Sequence, residues 1–359
     1  MYRSIPTGVG AARRDLRLGR RQLTELLEEG ASWAVRNGFG HQAELDRVEE
    51  HGCLAPADPS VVSARALERG QPQLGTLGSG NHFVELQYVA EIYDERAATA
   101  FGLRRDQLTA MIHSGSRGLG HQVCQDHLKV MVNAAPKYGI ELPDRQLCCA
   151  PIESTEGRTY LAAMAAAANF AFANRQVMAH WVRQSVSAGL GISTDEAAVD
   201  TVYDVCHNIA KFESFNVEGR LRRVCVHRKG ATRAYPPGHP QVPEAYRAVG
   251  QPVLIPGDMG RCSYVMVGTD RAARETFGSS CHGAGRLMSR SQAKRAARGR
   301  SLPDELRRLG VYVRADRMAT LAEEMPEAYK DVSEVVEVVH AAGISRRVAQ
   351  LRPLGVIKG

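Results

Sequence analysis

One stretch limits the fold of this 359-residue chain more than any other. From Tyr160 to Val186 the sequence is Ala-rich and holds neither Gly nor Pro. Such residues carry the highest helix propensity, so a single long helix is predicted over 155–188. Gly189 and Gly191 are expected to end it, because glycine adopts the left-handed conformation that closes a helix. The surroundings differ in texture. Short apolar runs lie within 75–90 and 109–120 and at 201–206, 222–228, 252–256 and 262–268, with Gly and Pro between them. Runs of that length and punctuation read as strands. Residues 14–36 place Leu16, Leu18, Leu23, Leu26, Leu27 and Trp33 at helical spacing. A second helix is expected near 59–69, and the tail beyond 319 reads as helical runs. The predicted class is α+β, with mixed β-sheets and surrounding helices. No solenoid-length repeat or long linker divides the chain, so one domain over 1–359 is expected.

Composition removes several alternatives. At 44% hydrophobic and 24% charged residues, the chain is unlike a disordered, collagen-like or coiled-coil sequence. No apolar run reaches the length of a membrane-spanning helix. The opening MYRSIPTGVGAARRDLRLGRR lacks the apolar core of a secretory signal. The eight cysteines are scattered without a C-x-x-C pair, which fits a reduced, cytoplasmic protein. A net charge of +7 and a pI near 9.0 suit a polyanionic partner such as RNA, DNA or a nucleotide.

The residues able to do chemistry are mainly histidines. His82 lies in GSGNHFVE, His113 in IHSGSR, His207 in CHNIAKFE, His227 in CVHRKGA and His282 in SSCHGAGR. His82, His113 and His207 each border a strand-like run, where a rigid sheet can hold an imidazole toward a loop-lined cleft. Imidazole serves as metal ligand, base or nucleophile. One such histidine is ordinarily a satisfied core residue; four in similar Gly/Ser/Asn-rich settings point to a site. Gly-rich turns at 75–80, 115–120, 256–260 and 283–285 can cradle phosphate through backbone N–H groups. None matches the dinucleotide or P-loop fingerprint, and no zinc-protease or nucleophile-elbow motif occurs. A basic run from Arg286 to Arg317 begins directly after His282, and Arg286, Arg290 and Lys294 are spaced to share a helix face. Aromatic residues are few and are not interleaved with the basic ones, which argues against a stacking platform for single strands. On composition and histidines alone, a metal-dependent phosphohydrolase also fits.

Taken together, GTLGSGNHFVEL, HSGSRGLG, CHNIAKFE, RKGATRA, IPGDMG, SCHGAGRLMSR and the terminal VIKG resemble the RtcB-type RNA ligases, in order and along essentially the whole chain. The resemblance implies GTP- and Mn²⁺-dependent joining of RNA 2′,3′-cyclic phosphate or 3′-phosphate ends to 5′-hydroxyl ends, as in tRNA splicing or RNA repair. Substrates would be tRNA halves or broken RNA ends, and an activating protein is a possible partner. His282 would be the nucleophile that takes GMP. His82, His113 and His207 would bind the metal, two ions in the family. Nucleotide contacts would come from Asn81, His82, Phe83, Val84, Glu85, His207, Asn208, Pro256, Gly257, Asp258, Met259, Ser263, His282, Gly283, Ala284, Gly285 and Lys358. The family also uses an Asp and a Cys three residues apart, upstream of the segment matched here by IPTGVG at 5–10. No such motif occurs here, so a chain without that N-terminal part is expected. A short form that binds RNA ends or guanine nucleotide without joining them is the alternative. The four histidines His82, His113, His207 and His282 are expected to gather in one small volume.

Overall fold

The computed structural model describes residues 1–359. Its strands are β1 (Phe83–Ile92), β2 (Leu108–His113), β3 (Asn208–Val217), β4 (Arg220–Lys229), β5 (Ala231–Arg233), β6 (Pro252–Ile255), β7 (Ser263–Gly268), β8 (Ser279–Cys281), β9 (Tyr312–Ala315) and β10 (Ser345–Lys358). Six of them form the main sheet in the order β2-β1-β10-β7-β6, with β9 also on β10. The pairings in it are antiparallel except β9 with β10. Strands β3 and β4 form a ribbon, and β5 pairs with β8. The α+β class is as expected. No helix is long and apolar enough to cross a membrane.

The Ala-rich segment forms a helix over Thr155–Leu190, about 54 Å long at 1.5 Å per residue. It runs through Gly189, and Gly191 alone closes it. Phe170, Ala173 and Val177 of this helix pack with Leu23, Leu27 and Trp33. The helix expected over 14–36 is two helices, Arg20–Glu29 and Ala31–Arg36, broken at Gly30. Residues 201–206 form no strand; only Asp204 bridges to Val48. The turn expected after His113 gives way at Arg117 to a helix, Arg117–Lys137. The tail ends not in helix but in β10, which lies between β1 and β7 in the sheet.

Two polar residues inside the long helix set the loops that carry histidines. The side-chain oxygen of Asn174 accepts from the N–H groups of Gly75 and Thr76 at 2.8 and 3.2 Å. Its amide donates to the carbonyls of Thr76 and Gly115 and to the Ser114 hydroxyl, at 3.2, 3.1 and 3.2 Å. One buried amide thus ties the turn before His82 to the turn after His113. Arg175 joins a third segment, pairing with Asp204 at 2.7 Å and donating to the Ser114 carbonyl at 3.3 Å.

A buried ion cluster fixes the approach to His207. Glu49 pairs with Lys211 of β3 at 2.8 Å and Arg233 of β5 at 3.4 Å, and accepts from the Cys206 N–H at 2.8 Å. Burial alone would raise the Glu49 pKa, but the charges of Lys211 and Arg233 outweigh it and hold the group at about 2.

Asn174→Ala leaves several buried backbone groups without partners, each worth about 1–3 kcal/mol. We expect it to lower the unfolding free energy in urea by about 2–4 kcal/mol. The Glu49 contribution is fully present above its unfolded-state pKa near 4.5 and is lost as pH falls toward about 2. Thermal melts between pH 5 and pH 2 are therefore expected to show a steeper acid limb in the parent than in Glu49→Gln.

Candidate active site

The sheet register brings three of the expected residues into one row. Phe83 stands opposite His113 of β2 on one side and Lys358 of β10 on the other. Directly opposed residues share a sheet face. Alternation turns Val84 away, into an apolar cluster with Ile5, Leu77, Met178 and Ile357. Glu85 returns to the cleft wall.

His207 and His282 reach the same place by another route. The Gly230 N–H donates to the His207 carbonyl at 2.9 Å, and the Gly230 carbonyl accepts from the His282 N–H at 3.0 Å. Gly230 is therefore the spacer that sets the two side by side. Their rings stack with centroids 4.0 Å apart, and His113 meets them edge-on at 4.9 and 5.3 Å. One ligating atom each from His113, His207 and His282 falls within a 4.8 Å set. The Nε2 atoms of His113 and His207 are 3.3 Å apart. His82 lies one ring further out, its centroid 5.6 Å from that of His113. Its close approach requires Gly78, where a Cβ would come within 1.8 Å of the His82 Nδ1.

These imidazoles are held neutral. Burial is the main cause in each case. It takes His82 to about 3, helped by the charges of Arg117 and Lys358. His207 falls to about 2, with His282 and Arg175 contributing, and His113 is held well below its ordinary value, with His282 and His207 contributing. His282 falls to about 4, where its hydrogen bond to Leu254 opposes the shift. The Nδ1 of His282 lies 3.2 Å from the Leu254 carbonyl, so a neutral ring carries its proton there. Nε2 is then left as a bare lone pair, and it is buried without a hydrogen-bond partner.

His113, His207 and His282 open on a cleft of about 250 Å³ whose wall also carries Asn81, Phe83, Glu85, Asn208, Lys229, Gly230 and Lys358. Residues Pro256 to Met259 and His282 to Arg286 complete it. Burial raises Glu85 to about 7, against the opposing effects of its Gln87 hydrogen bond and Lys358. Burial likewise lowers Lys358, against Glu324 and Glu85. The Asp258 carboxylate accepts from the N–H groups of Gly260 and Arg261 at 2.9 and 3.1 Å, so it shapes its own turn. Gly257 is obligatory in that turn, because a Cβ would lie 1.9 Å from the Cys262 carbonyl. Ser263 is buried behind it, accepting from Gly257 N–H and Gln87 Nε2 at 3.2 Å. Of the residues expected to contact a nucleotide, Val84, Ser263 and His82 are not on the cleft wall.

The basic face expected after His282 is largely neutralised. The helix starts only at Arg290, and Arg286, Arg290 and Lys294 converge on Glu323 and Glu324. Tyr329 donates to Glu324, while Arg286 donates to the Tyr329 hydroxyl at 2.9 Å. Arg290 of the expected basic face lines the cleft together with Glu324 and Tyr329; the last two carry no local spacing signal in the sequence, because they pair with a distant segment. Lys229 and Gly230 lie in the RKGA stretch that carries part of the resemblance.

The sequence profile of the family described as tRNA-splicing ligase RtcB matches residues 1–359. Among relatives, the tRNA-splicing ligase RtcB of Archaeoglobus fulgidus is 58% identical over 359 residues, all of this chain and 74% of the relative. That of Thermococcus kodakarensis is 54% identical with the same coverage. That of Methanococcus maripaludis is 51% identical, covering 100% of this chain and 75% of the relative. A profile match along the whole chain and identities above half over it establish that this chain belongs to the RtcB family of tRNA-splicing ligases.

Proposed function

We propose that this RNA ligase joins RNA 2′,3′-cyclic phosphate or 3′-phosphate ends to 5′-hydroxyl ends, using GTP, Mn²⁺ and a guanylylated His282. One observation carries the reading: the His282 Nε2 is buried and unpartnered in the cleft while its Nδ1 is held by Leu254. A nucleophile needs that lone pair free and the ring fixed. Nε2 would attack the α-phosphorus of GTP, forming a P–N bond as the P–O bond to pyrophosphate breaks. An oxygen of the RNA 3′-phosphate would next take the guanylyl group, breaking the P–N bond and restoring His282. The 5′-hydroxyl oxygen would then attack the RNA 3′-phosphorus, expelling GMP and giving up its proton. A cyclic phosphate would first be opened by water to the 3′-phosphate.

The donor set suits a divalent ion. The imidazoles of His82, His113 and His207 are held neutral and the His82 Nδ1 is buried without a partner, which leaves lone pairs available for coordination. His82, His113 and His207 would hold Mn²⁺, with hard oxygen ligands supplied by substrate phosphates. When bound, the metal neutralises phosphate charge and orients reacting oxygens. Asn81, Phe83, Glu85, Asn208 and Lys358 would hold the guanylate, with the Pro256–Met259 and Gly283–Gly285 turns offering backbone N–H groups to its phosphate. Because the cleft draws on residues from Asn81 to Lys358, we treat 1–359 as one domain. The same reading takes tRNA halves or broken RNA ends as substrates, in the cytoplasm, with an activating protein as partner.

Incubation with Mn²⁺ and GTP labelled at the α-phosphate is expected to give an acid-labile adduct that survives denaturing electrophoresis. His282→Ala is expected to give none; a persisting adduct would overturn the nucleophile assignment. Adduct and RNA binding without joined product would leave the non-joining form as the correct reading. His113→Ala is expected to weaken Mn²⁺ binding by about tenfold or more in calorimetric titration. Unchanged affinity would remove His113 from the ligand set.

A further inference from the structure

The β3–β4 ribbon starts in the cleft and leads away from it. Asn208 and Lys229, paired at its base, both line the cleft. The ribbon then runs through the pairs Ala210/His227, Phe212/Cys225 and Ser214/Arg223 on the same face. Its opposite face is buried, with Phe215 and Val226 in the main apolar cluster and Arg228 bidentate to Glu213 at 2.7 Å. The outer face exposes Lys229, His227, Phe212 and Arg223; Arg222 and Arg220, paired with Phe215 and Val217, are exposed toward the tip from the opposite face. The Arg223 guanidinium lies 4.7 Å over the ring of Phe212, which orients it along the strand. None of Arg220, Arg222, Arg223 and Lys229 forms an ion pair, in contrast to the cations after His282 that are paired with Glu323 and Glu324. No carboxylate stands on the outer face; Glu213 points inward and Glu218 lies in the turn beyond the paired residues.

We infer that the outer face of the β3–β4 ribbon is a track for the RNA strand leading away from the end held in the cleft. The inference rests on RNA being the substrate. From Lys229 to Arg223 the track spans about 20 Å at about 3.4 Å per residue. That is longer than a terminal nucleotide and suited to a row of successive phosphates. Its recognition is electrostatic and indifferent to sequence, as the unpaired cations Arg223 and Lys229 on an open face contact phosphate oxygens and not base edges. With only the rings of Phe212 and His227 exposed on the face, base stacking is a minor part. Continuity with the cleft and an uncompensated positive face favour RNA over a protein partner.

The test is binding of a single-stranded RNA of about 12 nucleotides with a 3′-phosphate, a length typical of single-strand grooves. Fluorescence anisotropy across a salt series compares the parent chain with Arg223→Ala and, as a control on the opposite face, with Arg222→Ala. Removing one phosphate-binding cation reduces the slope of log K against log salt by about 0.7. We expect a slope lower by about 0.7 for Arg223→Ala, with affinity falling several-fold at low salt, and an unchanged slope for Arg222→Ala. A dinucleotide ending in a 3′-phosphate is expected to bind parent and variants equally. GMP adduct formation on His282 needs no RNA and is expected to be unchanged, which also reports that the variants are folded. Equal slopes and affinities for the longer RNA in parent and Arg223→Ala would overturn the track, whatever the adduct shows. Absence of the adduct in the parent would instead overturn the ligase mechanism and leave the RNA slopes to decide the track.

Discussion

The antiparallel register of β1 against β2 and β10 is the constraint on which the cleft depends. Because Phe83 faces His113 on one side and Lys358 on the other, a slip of β1 by one residue would send Phe83 to the face opposite the other two. The register is held by burial: Val84 and Ile357 lie in the apolar cluster behind the sheet, and exposing them would cost roughly 1.5–3 kcal/mol each. Asn174 then fixes the loops that the sheet leaves free, by committing its whole hydrogen-bonding capacity to the turns beside His82 and His113. Sheet register and one helix amide together account for how these two histidines are positioned.

The electrostatics of the cleft divide it in two. On one side, buried imidazoles are kept neutral by burial and by nearby cations such as Arg117 and Arg175. A neutral imidazole is a ligand and a nucleophile; a protonated one is neither. On the other side Glu85 and Lys358 lie in one buried region, each shifting the other against the pull of burial. The first environment suits phosphate chemistry around a cation.

Much of this was legible in the sequence, and the exceptions have physical reasons. The long helix was clear because propensity and absence of breakers agree over many residues. The histidine motifs were clear because imidazoles beside glycines at strand ends are poorly explained by packing. Strand β10 was not legible. It carries several arginines, and Pro353 sits where the pairing with β1 shifts register between Leu86 and Gln87. Proline in a strand is tolerated at such an irregularity, but in the sequence it reads as a break. The helix from Arg117 was hidden by Gly118 and Gly120 in its first turn. The meaning of Arg286, Arg290 and Lys294 was misleading, because a run of like charges gives no sign of carboxylates supplied by a segment some thirty to forty residues later.

Strand β10 has a further consequence for how the molecule forms. The Lys358 ammonium meets the Gly80 carbonyl across a separation of 278 residues, and β10 joins β1 to β7 in the sheet. Contacts that distant close slowly, since the intervening chain must be ordered before they are rewarded. During synthesis, β1 and β7 would emerge with their facing edges unpaired, and such edges invite association with other chains. Chain growth past residue 345 is therefore the step that removes an aggregation hazard and completes the cleft together. A nascent or truncated chain that stops short of it would present the histidines without the sheet that aligns them.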